Sequence, residues 1–168
     1  MIAILRTRRL VFLVPTLACA LLLGFGYVLQ FVEGLTPCPL CIFQRLAFFA
    51  TASIALLATL HGPARVGARL YACGIGLTAM TGAGIAARQV WLQHLPADRI
   101  PECGPGLDFI LDVYPLAEAI KTVLRGSGDC AKVDWTLFGL SIAEWSLACF
   151  SALCVLAVLI FRSRRRTP

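Results

Sequence analysis

The stretch TPCPLCIFQRLAFFATASIALLATLHGPARVGAR, residues 36–69, sets the reading of the whole chain. From 42 to 60 it is apolar almost throughout, and Arg45 is its one charge. A helix needs about 20 mostly apolar residues to cross the roughly 30 Å hydrocarbon core of a bilayer, so this run predicts a membrane span. It closes in HGPARVGAR, a short connection of Gly, Pro and Arg, after which apolar sequence resumes. A tight return and a second crossing are the expected consequence.

Three more runs share this character, at about 10–32, 70–92 and 141–161. The composition agrees: of 168 residues, 59% are hydrophobic and only 14% charged, and the mean hydropathy is +0.83. These values exclude an ordinary soluble domain. The chain therefore reads as a single integral membrane domain, 1–168, folded as an all-α antiparallel four-helix bundle. Outside the spans lie a short outer stretch, 33–41, and a long outer loop, 93–140.

Orientation follows from the charges, because cytoplasmic flanks collect Arg and Lys. Arg6, Arg8 and Arg9 precede the first span, Arg65 and Arg69 sit in the tight connection, and Arg162, Arg164, Arg165 and Arg166 follow the fourth. All nine acids, Glu33 through Glu144, belong to or border the opposite side. Both termini are expected in the cytoplasm and the long loop outside. The net charge of +6 then reflects topogenic arginines and requires no nucleic-acid partner. The opening Arg cluster and the Leu17-Ala18-Cys19 triplet also resemble a signal peptide, but the apolar run exceeds the usual about 7 to 15 residues, so a retained span is expected.

This topology divides the eight cysteines. Cys19, Cys73, Cys149 and Cys154 fall inside apolar runs and read as small buried hydrophobes. Cys38, Cys41, Cys103 and Cys130 fall outside, where an oxidising compartment favours disulfides. CPLC places Cys38 and Cys41 in a CxxC, a spacing that allows a small, reversible disulfide loop. Cys41 borders the second span, where unpaired amides and the helix dipole favour a thiolate. Arg45, one turn further on the same face, adds a cation, although a snorkelling role at a helix end also fits it. CPLC as half of a zinc site is disfavoured, because Cys103 and Cys130 are far apart in sequence.

Cys103 and Cys130 stand in PECGPG and GSGDCA, whose glycines make pliable surroundings. A bridge between them could simply stabilise the loop. Pliability favours a working bridge instead. Between these cysteines, 107–124 carries apolar residues at helical spacing, which predicts an amphipathic helix on the membrane surface, bent or broken in two by Pro115.

CPLC with Arg45 at the head of the second span, WLQHLP, CGPGLD, GSGDCA and VDWTLFGLS form an ordered set, and with it the chain resembles the bacterial DsbB family of disulfide-forming proteins over nearly its whole length. The resemblance implies a multi-pass protein of the bacterial inner membrane that works as a protein dithiol:quinone oxidoreductase. It implies that a periplasmic DsbA-like, thioredoxin-fold partner attacks a bridge between Cys103 and Cys130, at Cys103. Cys130 then attacks Cys38 in a bridge with Cys41, and Cys41 passes electrons to a quinone from the membrane pool, ubiquinone ahead of menaquinone. Such a partner is a strong oxidant, so an ordinary structural disulfide could not reoxidise it and the acceptor must draw the sequence forward. The expected quinone-binding residues are Arg45, Gln89 and Arg88. Gln89 stands four positions before Gln93, where the family pattern leads one to expect a histidine. It can hydrogen-bond a quinone oxygen but cannot supply a proton, for which Arg88 and His94 are the alternatives. Two rival readings are a non-enzymatic four-span protein with a stapled loop and a quinone-linked reductase running the relay in reverse.

Overall fold

The structure, a computed structural model, describes residues 2–102 and 107–163. Four long helices carry it: α1 (Ile2–Phe31), α2 (Pro39–His61), α3 (Arg65–Gln93) and α7 (Ile142–Arg162). All four are long and apolar enough to span a membrane. The chain is an all-α, multi-pass membrane bundle, as its sequence predicts.

The first three long helices start earlier than hydropathy alone suggests. Helix α2 begins at Pro39, three residues ahead of the apolar run, because proline at the first helical position is pre-set for helical φ and needs no amide partner. Cys38 is its N-cap, with its sulfur accepting from the Cys41 amide at 3.4 Å. The same helix stops at Gly62, whose φ of 60° and ψ of 52° are left-handed and whose amide closes onto the Ala58 carbonyl at 2.9 Å. Only three residues, 62–64, separate α2 from α3, which forces the two antiparallel.

The close helix pairs run α1 with α2, α2 with α3 and α3 with α7. Small residues make this possible. A side chain at Gly82 would meet the ring of Phe150, which instead lies against α3 and stacks on Phe48 at 3.9 Å between centroids. Thr51 of α2 and Thr78 of α3 share a hydrogen bond of 2.8 Å across the middle of the bundle. Three buried clusters stack along the axis: Phe12, Ala55 and Ile75 near the tight connection, Phe48, Ala79 and Phe150 at mid-height, and Leu40, Leu92 and Cys130 at the loop end. Large apolar residues such as Leu21, Phe49 and Leu77 face outward, as lipid contact requires.

The long loop folds over one end of the bundle. Its amphipathic segment is broken at Pro115 into α4 (Leu107–Val113) and α5 (Leu116–Arg125), because proline has no amide for the ladder. Ile110, Ala119 and Val123 are buried against Leu40 and Leu92, so part of the apolar face packs on protein. Phe109, Leu116, Ile120 and Leu124 remain exposed. Then follow a single turn, α6 (Gly128–Ala131), and a hairpin of β1 (Thr136–Leu137) and β2 (Leu140–Ser141), which the sequence reading left as loop. Phe138 and Gly139, both at positive φ, turn the hairpin in the sense that short antiparallel strands favour. Ser141 and Glu144 form a capping box that starts α7.

Candidate redox site

The loop end of the bundle gathers three of the four outer cysteines. Cys38 Sγ lies 2.9 Å from Cys41 Sγ. Cys130 sits in the same buried cluster and hydrogen-bonds to Cys38. All three are thiols here. Cys103 lies outside the described residues. Glu102, just before it, accepts from the Gly128 amide at 3.2 Å, which draws that strand of the loop to the start of α6.

The first amides of α2 serve sulfur, but not the sulfur that was expected to receive them. The Cys41 amide points at Cys38, and the Leu40 backbone amide reaches Cys130. Cys41 stands in the first turn of the helix and donates its own amide to the capping sulfur of Cys38, so the dipole argument applies to Cys38 and Cys130. Donation from the Cys38 thiol, then from the backbone at Ser127 and Leu40, brings Cys130 down from 9.0 to about 6 despite its burial. Cys38 shifts the opposite way, upward, because it donates to Cys130 and Cys41 and is buried. The proton shared by the group stays on Cys38, and Cys130 ionises far more readily than Cys38.

Cys41 faces a cavity of about 360 Å³ that also borders Gln44, Arg45 and Gln89. Its other walls are largely apolar, with Leu22, Phe25 and Leu29 from α1 and Trp145 and Cys149 from α7. Gln89, 4% exposed, donates from Nε2 to Cys41 Sγ at 3.2 Å and to Cys38 Sγ at 3.4 Å. Its Oε1 accepts from Gln44 Nε2 at 2.6 Å, so Gln44 orients the amide. Gln44 was not singled out in the sequence; its signal was its position three residues after Cys41 on the same helix face.

Arg45 also lines the cavity, yet its hydrogen bonds go to α1. It donates to Gln30 Oε1 and, at 2.9 Å, to the Gly26 carbonyl, and lies 5.1 Å from the centroid of Tyr27. The side chain thus couples α2 to α1, and the amide that reaches Cys41 is that of Gln89. Arg88 departs from expectation. It donates to the carbonyls of Leu124 and Arg125 at 3.3 and 2.9 Å and covers Trp91, away from the cavity. Neighbours on a helix point about 100° apart, so with Gln89 turned inward Arg88 must face the end of α5. His94 is exposed at the α3 C-cap, 3.9 Å from Glu144, and does not line the cavity. Cys149, read as inert packing, does line it.

Fold and site together define a membrane thiol-redox protein: a spanning bundle with three convergent thiols at one end, two of them, Cys38 and Cys41, bordering a largely apolar cavity. The family model described as disulfide bond formation protein DsbB matches residues 8–160. Disulfide bond formation protein B of Azoarcus sp. (strain BH72) is 49% identical over 165 residues, covering 98% of this chain and 99% of its own length. Its namesakes in Aromatoleum aromaticum and Hahella chejuensis are 50% and 46% identical, covering 94% and 86% of this chain and 94% and 87% of their own. The chain belongs to the DsbB family, and its role is in disulfide bond formation.

Proposed function

We propose that this protein oxidises the dithiol of a soluble thioredoxin-fold partner and delivers the electron pair to a membrane quinone, its co-substrate, in the cavity beside Cys41. The observation that carries this reading is the contact of Cys130 with Cys38 while Cys41, next to Cys38, opens onto an apolar cavity. The cavity suits a quinone. Its walls accept an apolar ring and tail, and Arg45 and Gln44 offer N–H donors for quinone oxygens.

In the oxidised protein, Cys103 is bridged to Cys130 and Cys38 to Cys41. A partner thiolate attacks Cys103, the bridge to Cys130 breaks, and Cys130 leaves as a thiolate; the partner's second thiol then displaces Cys103 and completes the partner's own disulfide. The position of Glu102 beside Gly128 favours the closeness that the first bridge needs. Cys130, stabilised as thiolate by the Leu40 and Ser127 amides, attacks Cys38 and forms a new S–S bond. The electron pair of the broken bridge stays on Cys41, held by the Gln89 amide at the cavity wall. The Cys103 thiolate then displaces Cys38 from Cys130 and restores the first bridge, and Cys38 and Cys41 re-form theirs as the pair passes to the quinone. A quinone supplies a sink for two electrons and two protons, matching those the partner dithiol loses. Both termini face the cytoplasm of a bacterial inner membrane in this reading, so the site lies on the outer side, where the partner is.

The test uses the purified full-length protein, a reduced thioredoxin-fold partner and a quinone, with quinone absorbance followed over time. Cys41→Ser is expected to abolish quinone reduction while the bridge between Cys103 and Cys130 still forms. Full quinone reduction by Cys41→Ser would overturn the assignment.

A further inference from the structure

A second cavity, of about 260 Å³, lies at the opposite end of the bundle, between α1, α3 and α7. Its walls combine two arginines, Arg65 and Arg69, with apolar Val11, Leu156, Leu159 and Ile160. Arg69 is the unusual feature. Its Nε is buried and has no hydrogen-bond partner among the described residues. Its guanidinium instead lies 5.5 Å from the centroid of Phe161. Arg45 and Arg88, by contrast, both end on oxygen acceptors. A buried donor on a permanent cation is costly unless an acceptor answers it.

Among the described residues no carboxylate lies there. All nine acids belong to or border the other end of the protein, and the first turn of α3, which begins at Arg65, holds no acid and has no side-chain cap. An acceptor from outside would answer Arg69, and the cavity specifies its chemistry. An anionic group meets the two arginines and the positive end of α3, and an apolar chain meets the leucine and isoleucine wall. Val66, Leu70 and Leu159 are exposed around it, as lipid-facing residues are. The volume falls short of the about 300 to 1,000 Å³ of sites that enclose a whole small ligand, which suits a headgroup whose chains lie along the helices.

We propose that this cleft binds the phosphate of an anionic glycerophospholipid, with Arg69 and Arg65 as its ligands and Val11, Leu159 and Ile160 against the start of its acyl chains. The site is remote from the redox cysteines, so the claim stands or falls apart from the quinone reading.

The experiment takes delipidated full-length protein in a neutral detergent and adds phosphatidylglycerol, phosphatidylcholine or inorganic phosphate. Native mass spectrometry reads retained lipid, and the thermal midpoint reads stabilisation. Phosphatidylglycerol is expected to be retained and to raise the midpoint well beyond either control. Arg69→Gln should weaken that retention about tenfold, the factor that about 1.4 kcal/mol of a charge-assisted contact represents. Arg162→Gln, on a residue outside the cleft, should leave it unchanged. Should Arg69→Gln fail to fold, Leu159→Trp, which fills the cleft while keeping both charges, is expected to show the same loss. Equal retention of phosphatidylcholine, equal stabilisation by inorganic phosphate, or undiminished phosphatidylglycerol retention in Arg69→Gln or Leu159→Trp would each overturn the proposal.

Discussion

Cys130 is the side chain whose chemistry depends most on its neighbours. Its pKa of about 6, lowered first by the Cys38 thiol and then by backbone amides, makes it a thiolate wherever the pH exceeds about 6. The sign follows from linkage. A thiol depressed from its ordinary 9.0 contributes stability to the reduced fold that is complete above 9.0 and is lost as the pH falls through about 6. In the reduced protein, thiolate absorbance assigned to Cys130 is expected to titrate near 6, and Cys38→Ala should move that midpoint upward. A midpoint near 9 in the unaltered protein would contradict the hydrogen bond. Gln89 is the second such residue. Gln89→Leu removes the amide that donates to Cys41, and quinone reduction is expected to slow about tenfold, the effect of one lost charge-assisted hydrogen bond. An unchanged rate would assign Gln89 to packing alone.

Secondary-structure boundaries decide whether these side chains meet. Helix α5 ends at Gly126, whose φ of 79° and ψ of 157° belong to a region almost reserved for glycine, and a Cβ there would run into Leu92. Gly126→Ala is expected to cost about 1 to 3 kcal/mol locally and to draw α6, with Cys130, away from Cys38. The check is the yield of a trapped bridge between Cys38 and Cys130 in protein lacking Cys41, which should fall. The start of α7 is similarly specified. Ser141 caps it and donates to Gln93 Oε1 at 2.8 Å, which ties α7 to the end of α3. Ser141→Ala should lower stability by about 0.5 to 2 kcal/mol, read as a lower midpoint in thermal unfolding.

The bundle as a whole depends on close helix approach, since lipid gives helices no hydrophobic reason to associate. At Gly82 the Phe150 ring of α7 packs directly against α3 where a side chain would otherwise stand. Gly82→Val is expected to destabilise the bundle by about 1 to 3 kcal/mol, because that ring has no free space to retreat into. Unfolding of the purified protein in increasing SDS would reveal it as an earlier transition; an unchanged profile would mean that the pair can slide apart freely. Both cavities lie along the seam between α1 and α7, which are not among the closely packed pairs. The molecule thus has a firm three-way spine with one looser flank, and the loose flank holds both cavities.

Four spans and the division of the cysteines between spans and loops were legible in the amino-acid order alone. Hydrophobic length and charge are local properties, and a bilayer selects on them before any helix meets another. Proline at 115 announced its break for the same reason, since a missing amide is missing in every fold. Contacts across the chain were not legible. That Gln44 orients Gln89, that Arg45 binds α1, that Arg88 faces α5 and that the α2 amides serve Cys38 and Cys130 all depend on the rotation of one helix against its neighbours. Rotation is settled by packing, where a turn of about 100° exchanges one residue for the next. Sequence order supplied the sulfurs; assembly of the helices selected which of them touch.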